Sequence, residues 1–168
     1  PRLSTVIRKI LLKNETIGLM IELKGKHTAD GVCKLIEKYH IRDRIIFSGR
    51  NIKELKLAHH ILPEIPICLN ITKCKEFTVD DLYNIKEKKD FPLLFKMISL
   101  RADEIKDMSF IEECHSWNIQ ALAWDFMEHK PNSFAKIKEL INLGIDGLLL
   151  DDPRSVVATR AYLSESSM

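Results

Sequence analysis

The stretch Ile17-Gly-Leu-Met-Ile-Glu-Leu-Lys24 decides how this chain is interpreted. Its first part is apolar and branched, which is typical of a strand buried on both faces. Glu22 and Lys24 follow two residues apart, and because strand side chains alternate, both are expected on the same side. Burying such charges costs free energy unless they bind a ligand or an ionic partner. Two interpretations follow: a site where Glu22 binds a metal and Lys24 binds phosphate, or a plain ion pair.

The composition is that of a soluble globular domain. The chain has 168 residues, 45% of them hydrophobic and 30% charged, which is enough for one domain covering residues 1–168. A net charge of +2 is too balanced to indicate a nucleic-acid partner, and no apolar run is long enough for a transmembrane segment. The four cysteines lack C-x-x-C spacing and are predicted to be buried free thiols, which favours a cytoplasmic location.

Strand-like segments alternate with helical patterns along the whole chain. The predicted strands are 17–23, 44–48, 65–71, 94–99, 120–124 and 147–150. The predicted helices are 4–13, 29–39, 52–62, 79–88, 110–116, 133–143 and 153–163. Helix-start signals support this division at Thr28, Thr78 and Pro153, and Gly144 provides a helix-stop signal.

This alternation, without hairpin signals, predicts an α/β fold with parallel strands and helices outside them. About six βα units can be counted. They fit either an open doubly wound sheet or a TIM-type (β/α)8 barrel, which needs eight strands, lacking its first two strands.

Polar residues stand where the predicted strands end, and in parallel βα folds these ends form the site. The set includes Ser48, Trp124 and Asp151, and it suits a small anionic substrate with an apolar part. Each has a structural alternative. Trp124 could belong to the core, Ser48 could start a loop, and either Asp151 or Asp152 could cap the last helix. No Ser/His/Asp or Cys/His nucleophile arrangement is evident.

Four blocks together resemble the glycerophosphodiester phosphodiesterases. They are Ile21-Glu-Leu-Lys24, Ile45-Ile-Phe-Ser48, Trp124 and Gly144-Ile-Asp-Gly-Leu-Leu-Leu-Asp-Asp-Pro153. Their order matches that family from end to end of the chain, which corresponds to the C-terminal three-quarters of the family's domain. The resemblance implies a TIM-type barrel that hydrolyses glycerophosphodiesters to glycerol 3-phosphate and an alcohol, in phospholipid metabolism. It also implies one bound divalent cation, Mg²⁺ or Ca²⁺.

The resemblance implies a role for each matching residue. Glu22 matches the family's metal-ligand glutamate, and Lys24 matches the lysine that approaches the substrate phosphate. Trp124 matches an aromatic that lines the glycerol or leaving-group side. Ser48 and Asp151 are expected to support the site or to be structural.

The chain also departs from the family's pattern. Leu150 stands where threonine usually precedes the aspartate. Gly49 stands where an aromatic usually follows the serine, which predicts either a larger pocket or a change in the alcohol accepted. The His-Arg-Gly, His-Asp and Glu-x-Asp blocks, which precede Glu-Leu-Lys in the family, are absent. We therefore expect an N-terminally incomplete barrel with no catalytic residues of its own, with the catalytic histidines upstream, and inactive as 168 residues.

Two other functions stay open at this stage. One is a non-catalytic barrel remnant that binds a phosphate ligand or a partner chain. Its unpaired strand edges favour pairing with another chain, so a homo-oligomer is among the predicted partners. The other is a different phosphate-handling α/β enzyme.

Overall fold

The fold consists of alternating strands and helices, in a computed structural model that describes residues 2–84, 94–126 and 131–165. The strands are β1 (Leu19–Glu22), β2 (Ile45–Gly49), β3 (Ile67–Asn70), β4 (Met97–Arg101), β5 (Gln120–Trp124) and β6 (Gly147–Leu149). The helices are α1 (Leu3–Lys9), α2 (Thr28–Tyr39), α3 (Ile52–Ile61), α4 (Val79–Tyr83), α5 (Ser109–Ser116), α6 (Pro131–Asn142) and α7 (Pro153–Glu165). Single 3₁₀ turns occur at Leu11–Lys13 and Arg42–Arg44.

The described strands form one parallel sheet whose spatial order is the chain order, β1-β2-β3-β4-β5-β6. A doubly wound sheet would reverse its order at an internal switch point. The sheet instead curls continuously, as one portion of a barrel does. This confirms the predicted partial TIM-type barrel of about six βα units, with β1 and β6 as the edge strands of the described sheet.

Alternation along the strands separates two environments. In β2, Phe47 is fully buried in the core between sheet and helices, whereas its neighbour Ser48 lines the inner face of the curled sheet. In β3, Leu69 belongs to the helix-facing core, while Cys68 pairs in register with Ser48. These two strands therefore place small or polar side chains inside the curl and large apolar ones beneath the helices.

The predicted elements all have counterparts, with shifted ends. The unbroken helix 4–13 is wrong, because α1 ends at Lys9 and a separate 3₁₀ turn follows Ile10. The strand predicted at 94–99 lies later, at Met97–Arg101. Helix α4 ends at Tyr83, and residues 85–88 of its predicted span lie outside the described residues.

The start of α2 differs from the predicted cap. Thr28 is the first helical residue rather than the cap, which is His27 in a left-handed conformation with φ of 60°. The exposed N–H groups bond instead to the Glu54 carboxylate of α3, from His27 at 2.7 Å and from Thr28 and Ala29 at 3.1 Å each. A carboxylate at this position also suits the positive end of the helix. Glu54 thus ties two neighbouring helices together.

Other helix ends follow the sequence prediction. Thr78 forms a full capping box with Asp81 at the start of α4. Gly144 ends α6 with φ of +92°, a value that favours glycine. Pro153 is the first residue of α7.

The four cysteines are free and buried, as predicted. Burial raises the pKa of Cys33 to about 11 and, aided by the nearby carboxylates of Asp146 and Glu113, that of Cys114 to about 12. None of the helices in the described part of the chain combines the length and apolar character that a membrane crossing requires.

Candidate functional site

A cleft of about 950 Å³ opens at the carboxyl ends of the strands. It is lined by side chains that follow or end β1 to β6, as expected for a parallel barrel. The residues predicted for the site all line it: Glu22, Lys24, Ser48, Trp124 and Asp151. Their convergence is a finding about position, and their chemical roles stay predictions.

Glu22 and Lys24 lie on the same side, as the strand alternation predicted. Lys24 Nζ is 3.1 Å from Glu22 Oε2, with the side chains 78% and 37% exposed respectively. At such exposure the pair contributes little to stability, roughly 0–1 kcal/mol. Either side chain can therefore leave the ion pair and bind a ligand instead, at a small cost in free energy.

Ser48 lies within β2, so it does not start a loop. Its hydroxyl and that of Ser99 in β4 lie beside the Cys68 sulfur on the inner face. Burial raises the pKa of Cys68 to about 11, and the two hydroxyls act against that rise without reversing it. Cys68 is therefore a neutral thiol and not a nucleophile of the cleft.

Trp124 ends β5 and faces the cleft. The Arg50 guanidinium lies over its ring, with the central carbon 5.4 Å from the ring centroid. The indole Nε1 is buried and has no hydrogen-bond partner among the described residues. The indole N–H of a core tryptophan usually has a hydrogen-bond partner. The unpartnered N–H therefore favours a cleft-lining role for Trp124 over a core role.

The structure distinguishes the two aspartates before α7, either of which could have capped that helix from the sequence. Asp152 Oδ1 accepts from Arg154 N at 2.7 Å, and its carbonyl accepts from Ser155 N at 2.9 Å, so Asp152 caps the helix. Asp151 is exposed and lines the cleft.

The cleft's lining also contains polar residues to which the sequence analysis gave no role. Arg50, Asn70 and Ser99 contribute to it, together with three lysines: Lys26, Lys73 and Lys75. The sequence feature that marks most of these residues as cleft residues is their position at the end of a strand or in the loop that follows it. Among the described residues, five basic and three acidic side chains line the cleft, which gives it a positive balance suited to an anion.

Gly49 does not enlarge the cleft in the predicted way. An added Cβ would meet Leu23 O at 3.3 Å and Leu55 Cδ2 at 3.6 Å. The position therefore faces the packing between β1 and α3, and the next residue, Arg50, is the one that lines the cleft.

The donor set for a divalent cation is incomplete within the described residues. Glu22 provides one carboxylate, but no group of three or more His, Cys, Asp or Glu side chains in residues 2–84, 94–126 and 131–165 is placed to hold a metal. Magnesium sites typically combine one or two carboxylates with water and substrate phosphate oxygens. The described residues alone thus do not fit a dedicated metal site.

No histidine is among the described residues that line the cleft. His27 caps α2, and His115 Nε2 contacts Asp146 Oδ2 at 2.8 Å. The cleft therefore has cations for binding a phosphate but lacks a described side chain of the type that best exchanges protons near neutral pH.

Fold and cleft together define a class: a partial TIM-type barrel with its ligand cleft at the carboxyl ends of the strands. No family model matches the sequence, and no curated protein is similar enough in sequence to count as a relative. Solved structures that share this fold include several glycerophosphodiester phosphodiesterases.

Three of these structures illustrate the likeness. One, from Parabacteroides distasonis, has a TM-score of 0.74 at 16% identity, covering 100% of this chain and 66% of its own. The enzyme from Agrobacterium tumefaciens gives 0.66 at 17%, covering 96% and 62%. A phosphodiesterase from Oleispira antarctica, in complex with the product sn-glycerol 3-phosphate, gives 0.71 at 18%, covering 96% and 61%. The chain thus spans about six-tenths of their length, and at these identities the likeness establishes the shared fold.

Proposed function

We propose that the cleft binds a glycerophosphodiester and that the protein belongs to a metal-dependent system that hydrolyses it to glycerol 3-phosphate and an alcohol. The observation that carries this proposal is the convergence of Glu22, Lys24 and Trp124, spread over a hundred residues of sequence, in one cleft with a positive balance. The fold shared with glycerophosphodiester phosphodiesterases supports it.

Lys24 is the residue expected to meet the phosphodiester. Its ammonium is mostly exposed, and its ion-pair partner among the described residues is the partly exposed Glu22, so it can turn toward an incoming phosphate. A cation at this position offsets the negative charge that repels a nucleophile and that grows during phosphoryl transfer. Lys24 is thus proposed as a phosphate-binding residue.

Glu22 is proposed to supply one ligand to a divalent cation, which when bound would polarise the phosphate. Because the described residues do not complete the donor set, the other ligands would be water, the substrate phosphate or groups not described here. Magnesium and calcium both take such oxygen ligands, and both remain candidates.

The 168-residue chain is expected to bind without turnover. Phosphodiester cleavage needs a base for the nucleophile and an acid for the leaving alkoxide, and the described lining offers no histidine for either role. Metal-dependent release of glycerol 3-phosphate from glycerophosphocholine by a sample of verified mass would overturn this expectation.

The test is calorimetric binding of sn-glycerol 3-phosphate, with and without magnesium or calcium chloride. Lys24→Ala should weaken binding about tenfold, the worth of one charge-assisted hydrogen bond. Lys34→Ala is the matched control, since Lys34 forms a similarly exposed ion pair with Asp30 on α2 at 2.6 Å, away from the cleft lining. Equal affinities for all three proteins would contradict the proposal.

Glu22→Gln tests the metal role through the sign of its effect. If Glu22 holds a cation, the variant binds sn-glycerol 3-phosphate more weakly than the original chain when the cation is present. If Glu22 is merely an ion-pair partner, removing its charge frees Lys24 and reduces repulsion, so the variant binds more tightly under every condition. The second outcome would rule out Glu22 as a metal ligand.

A second candidate function rests on the open edges of the sheet. Met20 on β1 is half-exposed, and Val156 and Val157 on α7, which follows β6, are exposed. Unpaired parallel edges next to apolar side chains favour association with another chain. Such a protein would be a non-catalytic phosphate-binding domain that works with a partner or a second copy, and light scattering of the purified chain would report the second case.

A further inference from the structure

Three polar side-chain atoms in the cleft have no hydrogen-bond partner among the described residues. They are Arg50 Nε, Ser99 Oγ and Trp124 Nε1, and each is buried. Ser99 is 1% exposed, and its hydroxyl lies beside the Cys68 sulfur, where it acts to lower the pKa of that thiol. Buried polar groups are nearly always paired with protein, water or a ligand, so these three groups in one cleft are available to bind a ligand.

The chemistry of the three groups restricts that ligand. The Nε–H of Arg50 and the indole N–H of Trp124 can only donate, and the Ser99 hydroxyl can donate as well. A ligand that satisfies them must therefore present acceptors. The oxygens of a carboxylate or a phosphate fit best, because Arg50 adds a full positive charge.

The Arg50–Trp124 stack also disfavours the opposite kind of ligand. A quaternary ammonium such as choline is usually bound over an aromatic face. Here the guanidinium occupies one face of the Trp124 ring, at 5.4 Å from the centroid. A cationic head group bound at Trp124 would lie close to the Arg50 guanidinium, and the two positive charges would repel each other in a partly buried site.

The charged side chains around these three groups also favour an anionic ligand. Glu22 and Lys24 neutralise each other as a pair. In the part of the chain that the structure describes, the other charged side chains of the lining are four basic ones against two acidic ones: Lys26, Arg50, Lys73, Lys75, Glu76 and Asp151. The cleft thus has more positive charge than one phosphodiester anion neutralises.

We infer that Arg50, Ser99 and Trp124 form a head-group subsite that selects glycerophosphodiesters whose alcohol carries a further anionic group, a carboxylate or a phosphate. The inference rests on the proposed function and deepens it by naming the class of alcohol. Arg50 is the specificity-determining residue, and Trp124 holds its guanidinium in place.

The test uses three ligands that share the glycerol 3-phosphate half. They are glycerophosphocholine, glycerophosphoglycerol and the terminal phosphate monoester of glycerophosphoglycerol. The chain should bind the phosphate monoester about tenfold more tightly than glycerophosphoglycerol, and glycerophosphocholine most weakly. Binding is followed by calorimetry, with sn-glycerol 3-phosphate as the reference ligand.

Arg50→Gln should abolish the preference for the phosphate monoester and improve the relative binding of glycerophosphocholine. Arg50→Lys keeps the charge but loses the Nε donor and the planar stack, so it should retain part of the preference and also serves if the glutamine variant does not fold. Lys75→Gln removes a positive charge elsewhere in the cleft and should reduce the preference by less than about threefold.

The outcomes separate this inference from the function on which it rests. Tight binding of sn-glycerol 3-phosphate with equal affinity for the three diesters would overturn the subsite and leave the proposed function standing. No binding of sn-glycerol 3-phosphate or of any diester would overturn both. Equal loss of preference in Arg50→Gln and Lys75→Gln would show general charge attraction and contradict a specific role for Arg50.

Discussion

The carboxyl-end cleft and the α2–α3 junction treat polar groups in opposite ways. At the junction, the Glu54 carboxylate accepts from three consecutive backbone N–H groups and is buried. In the cleft, Ser99 Oγ and Trp124 Nε1 are buried without a hydrogen-bond partner in the described part of the chain, and Lys24 forms an exposed ion pair with Glu22. The difference teaches that the polar groups of the junction satisfy one another and hold two helices together, whereas those of the cleft are open to a ligand.

The amino-terminal end of the sheet resembles the junction rather than the cleft. Asp146 accepts from Ala121 N at 2.7 Å and contacts His115 Nε2 at 2.8 Å, which fixes the segment before β6 against β5 and α5. Gly147 follows, and an added Cβ would lie 2.7 Å from Leu122 Cδ2. The Gly-Ile-Asp-Gly block is therefore structural here.

The largest expected effect on stability is at Glu54. Glu54→Gln removes the charge from three backbone hydrogen bonds at a buried helix start and should lower the free energy of unfolding by about 2–3 kcal/mol. Urea unfolding at pH 7 measures it. Binding of sn-glycerol 3-phosphate should stay unchanged, and a loss of binding without a loss of stability would break the comparison.

The same residue predicts a pH dependence. Burial acts to raise the pKa of Glu54, but the backbone N–H groups of Ala29, His27 and Thr28 together lower it below the ordinary value. A lowered folded pKa gives stability that is present above the unfolded value, about 4.3, and is lost as the pH falls through the folded pKa. The difference in unfolding free energy between the original chain and Glu54→Gln should therefore shrink below that pH, and a constant difference down to pH 2 would contradict it.

The Asp146 contacts predict a smaller effect. Asp146→Ala leaves the Ala121 N–H without its partner and removes the His115 contact, which should cost about 1–2 kcal/mol of unfolding free energy. Asp151→Ala is the control, since Asp151 is an exposed lining residue and should change stability by less than about 0.5 kcal/mol. Equal costs for the two aspartates would remove the distinction between structural and ligand-facing carboxylates.

Local patterns predicted most of the fold. Strand β5 at Gln120–Trp124 was predicted to the residue, and the caps at Thr78, Gly144 and Pro153 hold, because each depends on neighbours in sequence. The Glu54 contact could not be predicted, since it joins α3 to residues about 26 positions earlier. Nor could the break at Ile10, where the apolar pattern continues but the helix does not.

The site was predicted in part for the same reason. Glu22, Lys24 and Trp124 stand at strand ends, so alternation and the parallel fold place them in the cleft. Arg50 was passed over because its significance lies in stacking on Trp124, a residue far along the chain. Burial without a partner, the property that singles out Ser99, is likewise visible only once the strands are side by side.

The smallest expected effect sharpens the comparison most. Ser99→Ala removes a buried hydroxyl that has no hydrogen-bond partner among the residues that the structure describes, so the free energy of unfolding should change by less than about 0.5 kcal/mol, or rise. If the hydroxyl serves a ligand, the same variant should weaken binding of the phosphate monoester of glycerophosphoglycerol several-fold, the loss of about one neutral hydrogen bond. A stability loss comparable to that of Asp146→Ala, with binding unchanged, would mean that Ser99 is a satisfied structural group, and the cleft would lose its most deeply buried donor.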